Sequence, residues 1–75
     1  MAVLPTLSGK EIAKAFTTDG WQIVRQRGSH MILVKNGHMA TLSVPDHKEV
    51  AKGTLRSLIR SSGLTAEEFV SLAAK

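Results

Sequence analysis

Apolar side chains recur every three or four residues towards both ends of the chain and alternate with polar ones in its middle. Helical spacing predicts a first helix over 9–18, with Ile12, Ala15 and Phe16 on one face, whereas alternation predicts strands. The predicted elements are, in chain order, a helix over 9–18, strands over 21–27, 30–35 and 38–44, and helices over 54–62 and 66–73. This order predicts an α+β fold in which the helices pack on one face of a three-stranded antiparallel sheet.

Residues next to the predicted helices mark where those helices begin and end. Ser8 and Thr65 precede Glu11 and Glu68 by three residues, which is the spacing of a capping box. Gly63 follows the middle helix, and glycine commonly ends a helix in a left-handed conformation. The large apolar residues expected in the core are Phe16, Leu33, Leu42, Leu55, Leu58, Ile59 and Phe69.

The dipeptide Asn36-Gly37 lies between two strand-like segments and predicts a hairpin with a two-residue type I′ turn. In the register that this turn imposes, His30 faces Ser43 across the hairpin. Because side chains alternate between the two faces of a strand, one face becomes the better core face. That face carries Met31, Leu33, Ala40, Leu42 and Val44.

The register of the first strand is open between two possibilities. A two-residue turn at Gly28-Ser29 would place Arg25 and Arg27 on the same face as His30. The same regular register would leave Trp21 on the open face, which is unfavourable for a large apolar side chain. A β-bulge within the strand would resolve this conflict.

The composition fits one small domain that is held together by an apolar core. The chain has 75 residues, of which 43% are hydrophobic, and it has no cysteine. This excludes disulfides, cysteine zinc sites and a cysteine nucleophile, and we expect a single domain over 1–75. No segment approaches the roughly 20 apolar residues that cross a bilayer, and the N-terminus does not resemble a secretory signal. We therefore expect a cytoplasmic protein without a membrane partner.

Basic residues concentrate in the middle of the chain, whose overall net charge is +4. Residues 25–60 hold seven lysines and arginines against two acidic residues. This concentration predicts a polyanionic partner such as nucleic acid, although a charged, solvated surface is the alternative. Lys52, Arg56 and Arg60 recur every four residues and therefore form one stripe of a helix. This stripe is either a solvated helix face or a surface that binds an RNA backbone.

Three histidines are the side chains that titrate near neutral pH. His38 follows the predicted Asn36-Gly37 turn, where we expect a solvated side chain. His47 lies in a loop, which it either orients or uses to contact a phosphate. His30 differs because it begins a strand directly after Gly28-Ser29, and the backbone amides of such a turn can approach an anion closely. From the residues alone, His30 is either structural or chemically active.

A histidine beside arginines suits RNA cleavage, because RNA carries its own nucleophile, the 2′-hydroxyl. A ribonuclease then needs a proton acceptor or donor and cations that hold the phosphate. A chemically active His30 would act on the 2′-hydroxyl or on the leaving oxygen. The groups that would then hold the phosphate are Arg25, Arg27, Gly28 and Ser29, the last two through their backbone amides. The sequence holds no carboxylate cluster spaced for a metal and no GxxxxGK loop, so we expect no metal and no cofactor.

Three segments of the chain together resemble the HicA toxin family, also called YcfA-like. They are GWQIVRQRGSH (20–30), LSVPDHKEV (42–50) and KGTLRSLIRSSGLTAEEF (52–69). The resemblance implies a fold like that of double-stranded-RNA-binding domains, with a short extra helix at the C-terminus. It implies a toxin that cleaves mRNA and is neutralised by a HicB-like antitoxin. The essential histidine of the family falls on His30.

Two other functions compete with a metal-independent endoribonuclease. The first is a non-catalytic double-stranded-RNA-binding domain, which needs basic contacts to phosphates but no histidine beside a turn. The second is a DNA-binding helix-turn-helix built from the last two helices. Glu67 and Glu68 oppose that function, because they would lie at the end of the recognition helix that contacts DNA.

Overall fold

One helix, three antiparallel strands and two further helices make up the computed structural model, which describes residues 3–74. The elements are α1 (Gly9–Thr18), β1 (Trp21–Arg27), β2 (His30–Lys35), β3 (Leu42–Pro45), α2 (Lys52–Ser62) and α3 (Ala66–Ala73). The α+β class, the α-β-β-β-α order and the extra C-terminal helix are confirmed. The ends of the predicted domain, residues 1–2 and 75, lie outside the described residues.

Local hydrogen bonds fix the starts of α1 and α3 at the predicted positions, whereas α2 begins at Lys52, two residues before the predicted start, and has no side-chain cap. In α1, the Ser8 hydroxyl accepts from the Glu11 N–H at 3.1 Å and the Glu11 carboxylate accepts from the Ser8 N–H at 2.9 Å. Two hydrogen bonds with Ser8 lower the pKa of Glu11. The bond to the Ser8 backbone has the larger effect and the bond to its side chain the smaller one. Thr65 and Glu68 repeat the arrangement at α3. Gly63 ends α2 with a φ of 83°.

The predicted two-residue hairpin at Asn36-Gly37 is wrong. A type I′ turn needs a positive φ at both central residues, whereas only Gly37 has one, at 80°. The Lys35 carbonyl still accepts from the His38 N–H at 3.0 Å, so the chain does turn here. Residues 38–41 then run in an irregular path, and β3 begins four residues later than predicted.

Tertiary contacts of His38 explain why the third strand begins late. The His38 side chain is half-buried rather than solvated, and its ring centroid lies 5.0 Å from that of Trp21. Its Nδ1 accepts from the Ala40 N–H at 3.1 Å. Its Nε2 also lies 3.7 Å from the point where a Cβ on Gly63 would be. These contacts draw residue 38 away from the sheet and towards the turn between α2 and α3.

The register between β2 and β3 is shifted by two residues from the predicted one. Leu33 pairs with Leu42, and His30 pairs with Pro45 rather than with Ser43. A shift by an even number of residues keeps every side chain on its predicted face. The predicted core face therefore survives for Met31, Leu33, Leu42 and Val44, which are buried, whereas Ala40 lies in the irregular segment and is only half-buried.

The register between β1 and β2 combines both features that the sequence left open. A two-residue turn pairs Arg27 with His30, and a bulge lies between Ile23 and Arg25. Trp21 pairs with Lys35 and is buried. The bulge changes the alternation of the strand, so that Trp21 points to the helices while the arginines point away from them.

The core lies between the sheet and the helices, and every residue predicted for it is buried. The ring of Phe16 lies between two other aromatic rings of the core. Its centroid is 6.2 Å from that of Trp21 and 5.1 Å from that of Phe69. Such aromatic pairs bury large areas in a small domain. Among residues 3–74, no helix is long and apolar enough to span a membrane.

Candidate functional site

The open face of the sheet, on the side away from the helices, carries His30. This side chain is exposed at the first residue of β2, and its direct partner across the hairpin is the exposed Arg27. Side chains of directly paired residues in antiparallel strands lie about 4.5–5.5 Å apart at Cβ. Arg25 is also exposed, two residues earlier in the same strand, and therefore shares the face. We call His30, Arg25 and Arg27 the histidine–arginine face.

The turn beside this face is tight and open to solvent. Gly28 has a φ of 58° while Ser29 does not have a positive φ, which is the pattern of a type II′ turn. Both residues are exposed, and no atom lies within 4 Å of the point where a Cβ on Gly28 would be. The structure thus brings Gly28 and Ser29 next to the histidine–arginine face, as the sequence predicts.

Two further residues, which no sequence pattern indicates, also hold the turn. The Gln26 side-chain amide donates to the Gly28 carbonyl at 3.2 Å and to the Asp46 carboxylate at 3.3 Å. The Asp46 N–H donates to the Ser29 carbonyl at 2.6 Å. Gln26 and Asp46 are twenty residues apart, and only the pairing of all three strands brings them together.

The basic stripe on α2 forms a second, separate surface. Lys52, Arg56 and Arg60 are all exposed, whereas the same helix buries its apolar side against the core. Because α2 packs on the helix side of the sheet, the stripe does not share the face that carries His30. The candidate RNA-binding residues therefore divide between two surfaces of the molecule.

The third histidine and the acidic residues lie elsewhere. The His47 side chain is exposed, while its carbonyl accepts from the Gly9 N–H at 2.8 Å at the start of α1. Glu67 and Glu68 are exposed in the first turn of α3 and line a shallow groove of about 420 Å³ together with Asp19. The charges of Glu67 and Glu68 oppose nucleic-acid binding by α3, whereas Asp19 forms an ion pair with Lys35 at 3.0 Å. Within residues 3–74, no three His, Asp or Glu side chains are grouped to hold a metal.

These features define a small, basic α+β protein with an exposed histidine and two arginines on a three-stranded sheet. A family model described as the HicA toxin of bacterial toxin-antitoxin matches residues 9–64. This match spans more than half of the chain, and the chain belongs to the HicA toxin family. It is thus the toxin of a toxin–antitoxin pair, with a cognate antitoxin as its partner. A search of curated proteins finds no significant match.

The matched range covers the elements that carry the candidate site. It begins at the first residue of α1, includes the histidine–arginine face and the α2 stripe, and ends just after α2. The acidic start of α3 lies beyond it.

Proposed function

We propose that this toxin is an endoribonuclease that cleaves mRNA in the cytoplasm, with His30 as its general acid–base catalyst. The observation that carries the proposal is the exposure of His30 on the open face of the sheet, directly opposite Arg27 and beside Arg25. In a member of a toxin family, an accessible imidazole next to two guanidinium groups fits a reaction on a phosphodiester.

The proposed reaction uses the 2′-hydroxyl of RNA as the nucleophile. The 2′-oxygen forms a bond to the adjacent phosphorus and the bond from phosphorus to the 5′-oxygen breaks. A base takes the proton of the 2′-hydroxyl and an acid protonates the leaving 5′-oxygen, which gives a 2′,3′-cyclic phosphate and a 5′-hydroxyl. His30 supplies one of these proton transfers. This scheme calls for no protein nucleophile and no metal.

Positive groups around His30 would stabilise the negative charge of the phosphate. Arg25 and Arg27 can donate paired hydrogen bonds to phosphate oxygens. Gly28 and Ser29 are exposed residues, and their backbone amides are the further donors in the proposal, at the same end of the hairpin. The α2 stripe lies outside this face, so its part is to hold more distant phosphates of a long RNA and to add affinity.

The antitoxin is proposed to act on the same face. His30 lies on an open sheet rather than in a cleft, so an inhibitor must cover it or block the approach of RNA. The net charge of +4 favours an acidic antitoxin surface. A complex in which RNA still reaches an exposed His30 would contradict this mode of inhibition.

The test compares wild type, His30→Ala and His47→Ala, first by growth after induced expression and then by RNA cleavage in vitro. His47 is the matched control, because it is also an exposed histidine. We expect His30→Ala to lose roughly 10²–10⁴-fold in cleavage rate while RNA affinity is nearly retained. His47→Ala should cleave like wild type.

The test is completed with EDTA, with RNA whose 2′-hydroxyls are methylated, and with double-stranded RNA. Cleavage should persist in EDTA and should fail on RNA whose 2′-hydroxyls are methylated. Wild-type cleavage by His30→Ala would remove His30 from the mechanism, and loss of cleavage in EDTA would remove the metal-free chemistry. A wild-type protein that binds double-stranded RNA and cleaves no RNA would instead be a non-catalytic binding domain.

A further inference from the structure

We infer that Gln26 and Asp46 are positioning residues for the cleavage reaction, because they clamp the turn that precedes His30. The inference rests on the proposed function of His30. Neither residue needs to contact RNA for this role. We call these two residues, with their hydrogen bonds to the turn, the Gln26–Asp46 clamp.

The clamp ties the hairpin turn to the chain beyond β3 through three hydrogen bonds. One Gln26 amide nitrogen donates both to the Gly28 carbonyl, at 3.2 Å, and to the Asp46 carboxylate, at 3.3 Å. The backbone N–H of Asp46 donates to the Ser29 carbonyl at 2.6 Å and so continues the β2–β3 ladder by one residue. The carbonyls of both turn residues thereby accept a hydrogen bond.

The Gln26 side chain of the clamp and the histidine–arginine face lie on opposite sides of the sheet. Gln26 pairs with Met31, which is buried against the helices, so its side chain leaves the strand on the helix side. Arg27 and His30 pair one position further on and leave on the open side. The carboxylate of Asp46 is thus kept off the face where a phosphate would bind.

The clamp is anchored to the helical layer. The Gly9 N–H of α1 donates to the His47 carbonyl at 2.8 Å, and the Val50 N–H donates to the Leu7 carbonyl at 2.9 Å. These bonds fix the chain that follows Asp46, at His47 and at Val50, against the start of α1 and the residues just before it. The clamp therefore connects the Gly28-Ser29 turn to α1.

The Arg27–His30 pair holds the base of the turn, and the clamp holds its two carbonyls. No atom lies within 4 Å of the point where a Cβ on Gly28 would be, so that side of the turn is open. General acid–base catalysis requires the imidazole within hydrogen-bond reach of the proton it moves. A displacement of about 1 Å from a distant change is enough to slow a reaction severely. The clamp would limit such displacement at His30.

The test measures single-turnover cleavage and RNA affinity separately in four variants. Asp46→Ala and Gln26→Ala remove one partner each, and we expect either to slow cleavage about tenfold with an RNA Kd within about twofold of wild type. Asp46→Asn removes the charge but keeps an oxygen that accepts from Gln26, so it should cleave at nearly the wild-type rate. Glu49→Ala removes an exposed carboxylate from the same loop and is the control for charge.

Two double variants test whether Gln26 and Asp46 act as one unit and whether they act through His30. The double variant of Gln26 and Asp46 should be no slower than either single one. In a His30→Ala background, Asp46→Ala should cause no further loss. Amide NMR shifts of Gly28 and Ser29 should change in Asp46→Ala and return towards wild type in Asp46→Asn, with melting temperatures nearly equal.

The outcomes separate this inference from the proposed function. If His30→Ala cleaves like wild type, the proposed function fails. If His30→Ala is inactive while Asp46→Ala and Gln26→Ala cleave at the wild-type rate, only the clamp fails. An Asp46→Asn variant as slow as Asp46→Ala would also overturn the clamp, because charge rather than hydrogen bonding would then explain the loss.

Discussion

Replacing Gly9 with alanine tests how closely α1 packs against the loop that follows β3. Gly9 is the buried first residue of α1, and its φ is in the ordinary range for any residue. A Cβ at this position would overlap the Pro45 carbonyl oxygen. It would also lie 2.9 Å from the Pro45 carbonyl carbon and 3.0 Å from the Asp46 Cα. All three are backbone atoms, so no side chain can rotate away and the loop itself must move.

The expected loss of stability follows from three contributions. Overpacking of this kind costs about 1–3 kcal/mol. Weakening the Gly9–His47 hydrogen bond costs about 0.5–1.5 kcal/mol more. Alanine returns up to about 1 kcal/mol, because it favours the helix more than glycine does. The free energy of unfolding should therefore fall by about 0.5–4.5 kcal/mol, which lowers the melting temperature of a chain this small by roughly 2–36 °C.

Thermal unfolding followed by circular dichroism measures this loss, with Gly53→Ala as the matched control. Gly53 lies in the first turn of α2, has no positive φ and has no atom within 4 Å of its missing Cβ. There the same substitution should stabilise the fold by about 0.4–1 kcal/mol. If Gly9→Ala melts at or above the wild-type temperature, the close approach of α1 to Pro45 is not as described.

Three further predictions concern the core, the α2 stripe and the helix cap. Leu58→Ala should cost about 2–5 kcal/mol of unfolding free energy, and an unchanged melting curve would contradict the burial of this side chain. Replacing Lys52, Arg56 or Arg60 by glutamine should weaken RNA binding equally for all RNA sequences. The slope of the logarithm of the RNA binding constant against the logarithm of salt concentration should fall in magnitude by about 0.7–0.9 per lost contact. An unchanged slope would show that the stripe is a solvated surface. Since the folded pKa of Glu11 is lowered from 4.5, its charge stabilises the fold above that pH and loses this effect as the pH falls through the folded pKa. Unfolding measured across acidic pH should show the difference between wild type and Glu11→Gln above pH 4.5 and its disappearance at lower pH.

The starts of α1 and α3 were predictable because local signals determine them, whereas α2 has no side-chain cap and begins two residues before its predicted start. The capping boxes at Ser8 and Thr65 act over three residues, and both form as expected. The start of β3 was not predictable, because His38 makes its decisive contacts with Trp21 and Gly63, which are distant in sequence. A turn dipeptide gives the correct place for a change of direction, but tertiary packing chooses the turn type and the register.

The candidate site divides in the same way. The pairing of Arg27 with His30 depends on a two-residue turn, so the sequence predicts their common face. The contact between Gln26 and Asp46 depends on the register of three strands at once, including the β1 bulge. No pattern within either segment indicates it.

The β1 bulge has a consequence for self-association. β1 forms one edge of the sheet, where unpaired backbone groups invite a strand from another chain, and the exposed Ile23 and Val24 add apolar surface there. Residues 21–23 and 25–27 already pair in unbroken order with β2, so deleting Val24 would leave these pairs, the buried Trp21 and the histidine–arginine face in place. It would also straighten the edge, because a bulge increases local twist and interrupts the row of free backbone groups. Deletion of Val24 is therefore expected to raise self-association of the protein while the core and the histidine–arginine face keep their residues in place.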